Sequence, residues 1–221
     1  MSQLVSDYTD KLPVHPTKRY KLRKLSDIKR IVVHTTDADW SIETLAKYDI
    51  NPNHISSSGC PKCTYHEVIM KNGMVYWCVP YEEITWHVGV WNPGSVGVAL
   101  MYRCSDLNGK DVYAPREEAV RSLITRCNAL CFKFGLSPSS VVGHRELKGT
   151  GWLPGKGSRI LRKTCPGLKL NLDQLRTSIA SRMQTVLRLN GYDGIEVDGI
   201  WGPISKMAFD IHQRRMHAQN H

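Results

Sequence analysis

The sequence predicts an α/β protein that ends in a small all-helical piece, and three observations carry that reading. Short β-branched runs at Ile31-Val32-Val33, Val96 to Leu100 and Val141-Val142-Gly143 are separated by stretches of helical period. Asn72-Gly73 sits between two alternating segments, the strongest short-range signal for a hairpin. After Asn171 only helical patterns and turns remain. A chain of 221 residues is long enough for one full-sized domain and an annex.

Taken in order, Ile31-Val32-Val33 reads as a buried strand whose carboxyl end delivers His34-Thr35-Thr36. Ser41 is placed to cap a helix carrying Ile42, Leu45 and Ala46 on one face, and Asn51 to Gly59 is loop by composition. Residues 64–80 form the hairpin, and Val96 to Leu100 another strand. Arg116 to Phe134 places Ala119, Val120, Leu123, Ile124, Cys127, Leu130 and Cys131 on a helical face, which makes both cysteines small core hydrophobes. Val141-Val142-Gly143-His144 repeats the opening arrangement, a β run ending in histidine. Residues 148–168 are rich in glycine and proline and read as loop. Ile179, Met183, Val186, Leu187 and Leu189 fit a helix, Asp198 to Pro203 a tight turn, and Ile204 to Arg215 a second helix.

Composition excludes several classes. With 41% hydrophobic and 23% charged residues the chain is neither collagenous nor disordered. No run approaches the roughly 18 to 20 apolar residues that cross a bilayer, so no membrane insertion is expected. MSQLVSDYTDKLP lacks the apolar core of a signal peptide, which predicts a protein held in the cytoplasm where it is made. The net charge is +10, and residues 11–30 carry eight basic side chains against Asp27. Such a stretch either steers the protein toward an anionic polymer or is a solvated face. Only Tyr20 interleaves it with an aromatic platform, so a nucleic-acid partner is not expected. Seven cysteines is an odd number, which favours thiols and metal ligands over a disulfide framework.

His34, His144 and Cys165 have the softness zinc prefers, and three protein ligands leave the fourth tetrahedral position that a catalytic site needs. Spacing alone cannot bring these three together.

The segments IVVHTT, TYHEVIMKNGMVYWCVP, WHVGVWNPGSVGVAL, VVGHRE and KTCPG occur in this order. In that series the chain resembles zinc-dependent N-acetylmuramoyl-L-alanine amidases of the phage-lysozyme and peptidoglycan-recognition type, over roughly residues 28–170. The resemblance implies a central mixed sheet flanked by helices, with Zn2+ held by His34, His144 and Cys165 in a groove. It also implies that Tyr65 and Lys163 are the active-site residues that do not bind metal, and that bacterial peptidoglycan is the substrate. His87, in TWHVG, matches a family position beside the zinc, where substrate contact and packing carry equal weight. His66 should point away from the Tyr65 face as a structural histidine. Glu67 should share that face, and acts as a proton shuttle if the face lines the groove.

Two features depart from the family. His144 and Cys165 are 21 positions apart (165 − 144), about twice the usual gap, so 147–162 reads as an insertion and a candidate lip. Cys60-Pro61-Lys62-Cys63 is a knuckle whose thiols are free, joined in a disulfide after release, or half of a second metal site. The segment SRMQTVLRLNGYDGIEVDGIWGPISKMAFDIHQRR resembles a helical peptidoglycan-binding repeat without its third helix, with Asp198 and Trp201 as candidate wall-binding residues. The expected organisation is a basic segment over 1–27, a catalytic domain over 28–170, a linker over 171–176 and a shortened helical domain over 177–221. The functional expectation is a monomeric endolysin. A cytoplasmic wall-recycling amidase and a recognition protein that binds without cutting are the rivals.

Overall fold

The computed structural model describes residues 5–106, 108–147 and 164–219. Its elements run β1 (Val5–Asp7), β2 (Arg30–Thr35), α1 (Ile42–Ile50), β3 (Glu67–Ile69), β4 (Val75–Trp77) and β5 (Ser95–Leu100), then α2 (Glu117–Phe134), β6 (Val141–Gly143), α3 (Leu172–Leu189) and α4 (Pro203–Gln219). The six strands form one mixed sheet in the order β1-β4-β3-β5-β2-β6. β3 and β4 are the antiparallel hairpin expected around Asn72-Gly73, and the other four pairings are parallel.

Strand periodicity sorts side chains between two layers. Ile31, Val33, Val96, Val98 and Leu100 face Ala119, Leu123, Cys127, Leu130 and Cys131 of α2. Val68, Ala99 and Met101 face Ile42, Leu45 and Ala46 of α1, together with Leu12 and Tyr20. Each fully buried Leu or Ile in these layers contributes roughly 1.5 to 3 kcal/mol relative to exposure. Local signals fix the helix ends: Ser41 Oγ accepts from Thr44 N at 3.2 Å, and α2 stops at Gly135, whose φ is +65°. No helix among the described residues is long and apolar enough to cross a membrane.

Two expected boundaries shift. Asn171 is the N-cap of α3, accepting from Gln174 N at 3.0 Å, so residues 172–176 are helix rather than linker. Leu172, Leu175, Ile179, Met183 and Leu187 of α3, with Phe209 of α4, belong to the same apolar cluster as α2 and the sheet. Propensity after Asn171 signals a helix but not what its stripe covers. The basic amino-terminal segment is also woven into the fold. β1 pairs with β4, Leu12 and Tyr20 are buried, and the Arg23 guanidinium lies inside. No disulfide joins any of the seven cysteines, and burial pushes Cys60 up to about 12.

Candidate metal centre and its surroundings

Register places the two histidines. β2 and β6 are parallel neighbours with Val33 opposite Gly143, so His34 and His144 emerge side by side at the carboxyl ends of adjacent strands. Their ring centroids are 4.8 Å apart. Cys165 arrives from the loop before α3, its Sγ 3.6 Å from His34 Nδ1 and 3.4 Å from Thr35 N. The ligand atoms of His34, His144 and Cys165 all lie within 4.8 Å of one another. Among the described residues this is the one group of three or more such side chains close enough to hold a metal, and Cys60 and Cys63 gather no third ligand.

Arg145, next to His144, fastens the cysteine loop. Its guanidinium donates to Gly167 O at 2.6 Å, Leu170 O at 2.9 Å and Thr164 O at 3.3 Å, while its own N–H donates to Cys165 O at 2.8 Å. Gly167 has φ +103°, and a Cβ there would stand 2.4 Å from the Tyr102 hydroxyl, so only glycine lets the loop pass.

Tyr65 packs beside the centre, its ring 5.1 Å from that of His34. Burial first, and then the neighbouring Cys165, Asp49 and Cys63, hold its hydroxyl well above the usual tyrosine range. That makes Tyr65 a proton-bearing donor. His87 is buried at 8% exposure, with Nδ1 2.9 Å from His34 Nε2. Burial, then the charges of His66, His144 and Arg23, push it well below the usual histidine value, so it is a neutral imidazole.

One family is decided by the sequence pattern over this fold. The N-acetylmuramoyl-L-alanine amidase family matches residues 24–168, which is 145 of the 221 residues. This chain belongs to that family. No curated protein sequence matches it. Among solved structures, the amidase chain is similar to the N-acetylmuramoyl-L-alanine amidase LysC from Clostridium intestinale URNW, at 19% identity and TM-score 0.56, covering 80% of this chain and 97% of that one. It is also similar to the Ph2119 endolysin of a Thermus scotoductus MAT2119 bacteriophage, at 22% identity and TM-score 0.54, covering 79% and 98%. The complex of peptidoglycan recognition proteins LCa and LCx with tracheal cytotoxin gives 17% identity, TM-score 0.54, and 76% and 92% coverage. At these identities the likeness establishes a shared fold.

The remaining predicted positions of this amidase-family chain divide. Glu67 corrects the proton-shuttle expectation: its Oε2 accepts from Arg126 Nε at 2.9 Å, and its Oε1 accepts from Arg126 Nη2 at 2.5 Å and from the Tyr81 hydroxyl. Glu67 therefore points toward α2, whereas Tyr65 packs with the α1 layer. Strict alternation does not reach Tyr65, because β3 begins at Glu67 and the chain before it is bent rather than extended in the sheet. His66 is structural: Nδ1 accepts from Gly97 N at 3.0 Å, Nε2 is 3.0 Å from Arg23 Nη2, and burial lowers it to about 3. Lys163 and nearly all of the 147–162 insertion lie outside the described residues. In the annex, Asp198 Oδ1 accepts from Gln184 Nε2 at 2.8 Å and from Ile200 N at 2.9 Å, which orders the turn. Trp201 is half-buried, edge-on to Phe209 at 5.7 Å.

Arg23 and Arg145 were not singled out from the sequence. Arg23 donates to the carbonyls of Tyr81 at 2.8 Å, Asn92 at 3.1 Å and Ser95 at 2.6 Å, and Arg145 likewise binds carbonyls distant in sequence. A backbone carbonyl leaves no signal in the residue type that supplies it.

Proposed function

We propose that this protein is a zinc-dependent endolysin that cuts the amide bond between N-acetylmuramic acid and L-alanine in bacterial peptidoglycan. The observation that carries the reading is the convergence of His34, His144 and Cys165 at the strand ends, in a chain of the amidase family. Zinc fits this set. Nitrogen and sulfur donors at about 2.1 and 2.3 Å from a tetrahedral zinc are about 3.6 Å apart, which agrees with the 3.6 Å between His34 Nδ1 and Cys165 Sγ. Three protein donors also leave a coordination position open, as catalytic rather than structural zinc requires.

When bound, zinc supplies Lewis-acid polarisation of a carbonyl and a water acidified to a pKa of about 7. The chain's own residues do the rest. Tyr65 holds a proton on Oη beside His34 and donates a hydrogen bond to the carbonyl oxygen as that oxygen gains charge. Lys163, two residues before Cys165, adds a positive charge to the same oxygen. The exposed side chains of Val197, Ile200, Ile204 and Met207, next to Trp201, give the annex an apolar surface for holding insoluble wall. In the endolysin role the protein waits in the host cytoplasm until the membrane is breached.

Digestion of purified peptidoglycan tests the reading. We expect new L-alanine amino termini without new reducing sugars, abolished by a zinc chelator and restored by zinc. New reducing sugars would indicate a glycosidase, and sedimentation with wall without any new termini would indicate a recognition protein.

A further inference from the structure

We propose that His87 is a positioning residue for His34: its Nδ1 accepts the Nε2–H of His34, so that His34 turns the lone pair on Nδ1 toward the metal. The inference rests on the zinc reading above. The two nitrogens of the His34 ring face different partners, Nδ1 toward Cys165 Sγ at 3.6 Å and Nε2 toward His87 Nδ1 at 2.9 Å. A neutral imidazole has one donor and one acceptor nitrogen, so a ring that ligates through Nδ1 carries its hydrogen on Nε2. His34 is buried, and a buried N–H without an acceptor costs about 1 to 3 kcal/mol. The opposite tautomer would aim a hydrogen at Cys165 and leave no lone pair for a cation. Ligating histidines ordinarily give this second hydrogen to a carboxylate, a carbonyl or water. Here an imidazole takes it.

The surroundings hold His87 to that task. Asn92 Oδ1 accepts from both His87 N at 3.1 Å and Val88 N at 2.7 Å, which fixes the backbone that carries the ring. The ring lies directly on Gly97 of β5, where a Cβ would come within 2.9 Å of His87 Nδ1. Any other residue at 97 would push the ring away from His34. The far nitrogen, His87 Nε2, is buried and has no hydrogen-bond partner among the described residues. The burial of His87 also separates it from substrate, so it acts through His34.

The test measures zinc affinity, not turnover, for wild type and the variants His87→Ala, His87→Asn and His87→Gln, by competition with a chromogenic chelator. Thermal unfolding of the zinc-free proteins is followed in parallel. We expect His87→Ala to bind zinc about 10- to 100-fold more weakly. His87→Asn can place an amide oxygen near the position of Nδ1 and should recover most of the loss, whereas the longer His87→Gln should not. Cobalt-loaded protein should show a shifted ligand-field absorption in His87→Ala and a near-native one in His87→Asn. Wild-type affinity in His87→Ala overturns the inference while leaving the zinc reading intact, and so does an equal loss in the Asn and Gln variants. If His87→Ala does not fold, the Asn against Gln comparison decides. A wild-type protein that takes up no zinc overturns both.

Discussion

Asp49, at the end of α1, holds its carboxylate in the interior, where Oδ2 accepts from Thr64 N at 2.8 Å and Thr64 Oγ1 at 3.1 Å. Burial raises it from 3.8 to about 6, outweighing those hydrogen bonds. A carboxylate whose folded value lies above its unfolded one stabilises most below pH 3.8 and loses that contribution as pH rises through about 6. Asp49→Asn removes the titration. Its stability relative to wild type should therefore climb between pH 4 and pH 7, by about 3 kcal/mol in order of magnitude. Urea unfolding at stepped pH measures the difference, and a flat profile would exclude Asp49 as its source. Tyr65→Phe, beside the centre, and Lys163→Ala, at the position the family resemblance implies, should each keep zinc and fold yet lose about 100-fold in turnover, roughly 3 kcal/mol, with a smaller change in substrate affinity. Stopped assays on purified wall, with zinc content measured on the same samples, distinguish this from a loosened site.

At the scale of elements, the hairpin and α2 are joined by one buried ion pair. Glu67 on β3 is fully buried and bidentate with Arg126 on α2, with the Tyr81 hydroxyl on the same carboxylate. Removing one member of such a pair leaves the other charge uncompensated in a medium that solvates it poorly, at a cost of about 3 to 5 kcal/mol. Glu67→Gln should lower the unfolding free energy by an amount of that order while zinc affinity stays at the wild-type level. A turnover defect without a stability defect would return Glu67 to the chemistry. Arg145 couples a different pair of elements, tying the end of β6 to the loop before α3, so that the segment carrying His144 holds the loop carrying Cys165.

At the scale of the molecule, the annex and the amidase core share one apolar interior. Deleting residues 177–221 removes Ile179, Met183, Leu187 and Phe209 from the cluster that also contains Leu123 and Leu130 of α2. The truncated chain should lose cooperative unfolding, and cleavage of soluble muropeptide and of insoluble wall should fall together. Ile200→Asp is the cleaner probe of wall binding, because Ile200 is 69% exposed and its loss should change stability by no more than about 0.5 kcal/mol. Sedimentation with wall should weaken in that variant while muropeptide cleavage persists. Unchanged sedimentation would remove this surface from wall binding.

The sequence by itself determined the elements and the ligand types. β-branched runs set the strands, the Asn72-Gly73 turn set the hairpin, and the 3.6-residue stripe of α2 marked its buried face. Two runs that each end in histidine, with KTCPG downstream, named His34, His144 and Cys165 before any geometry. These signals are local, so a linear reading reaches them. Tertiary structure alone decided which groups meet. Parallel register between β2 and β6 set the two histidines side by side. β3 starts only at Glu67, whose side chain turns to Arg126 of α2, while Tyr65, just outside the strand, lies with the α1 layer. Arg23, counted as surface charge, became an interior strut because the carbonyls that hold it belong to distant segments. Residues 172–176 became the start of a core helix because α2 and β6 offered an apolar surface to cover. In each case the deciding partner lies far away along the chain, and periodicity, which compares a residue only with its near neighbours, carries no information about it.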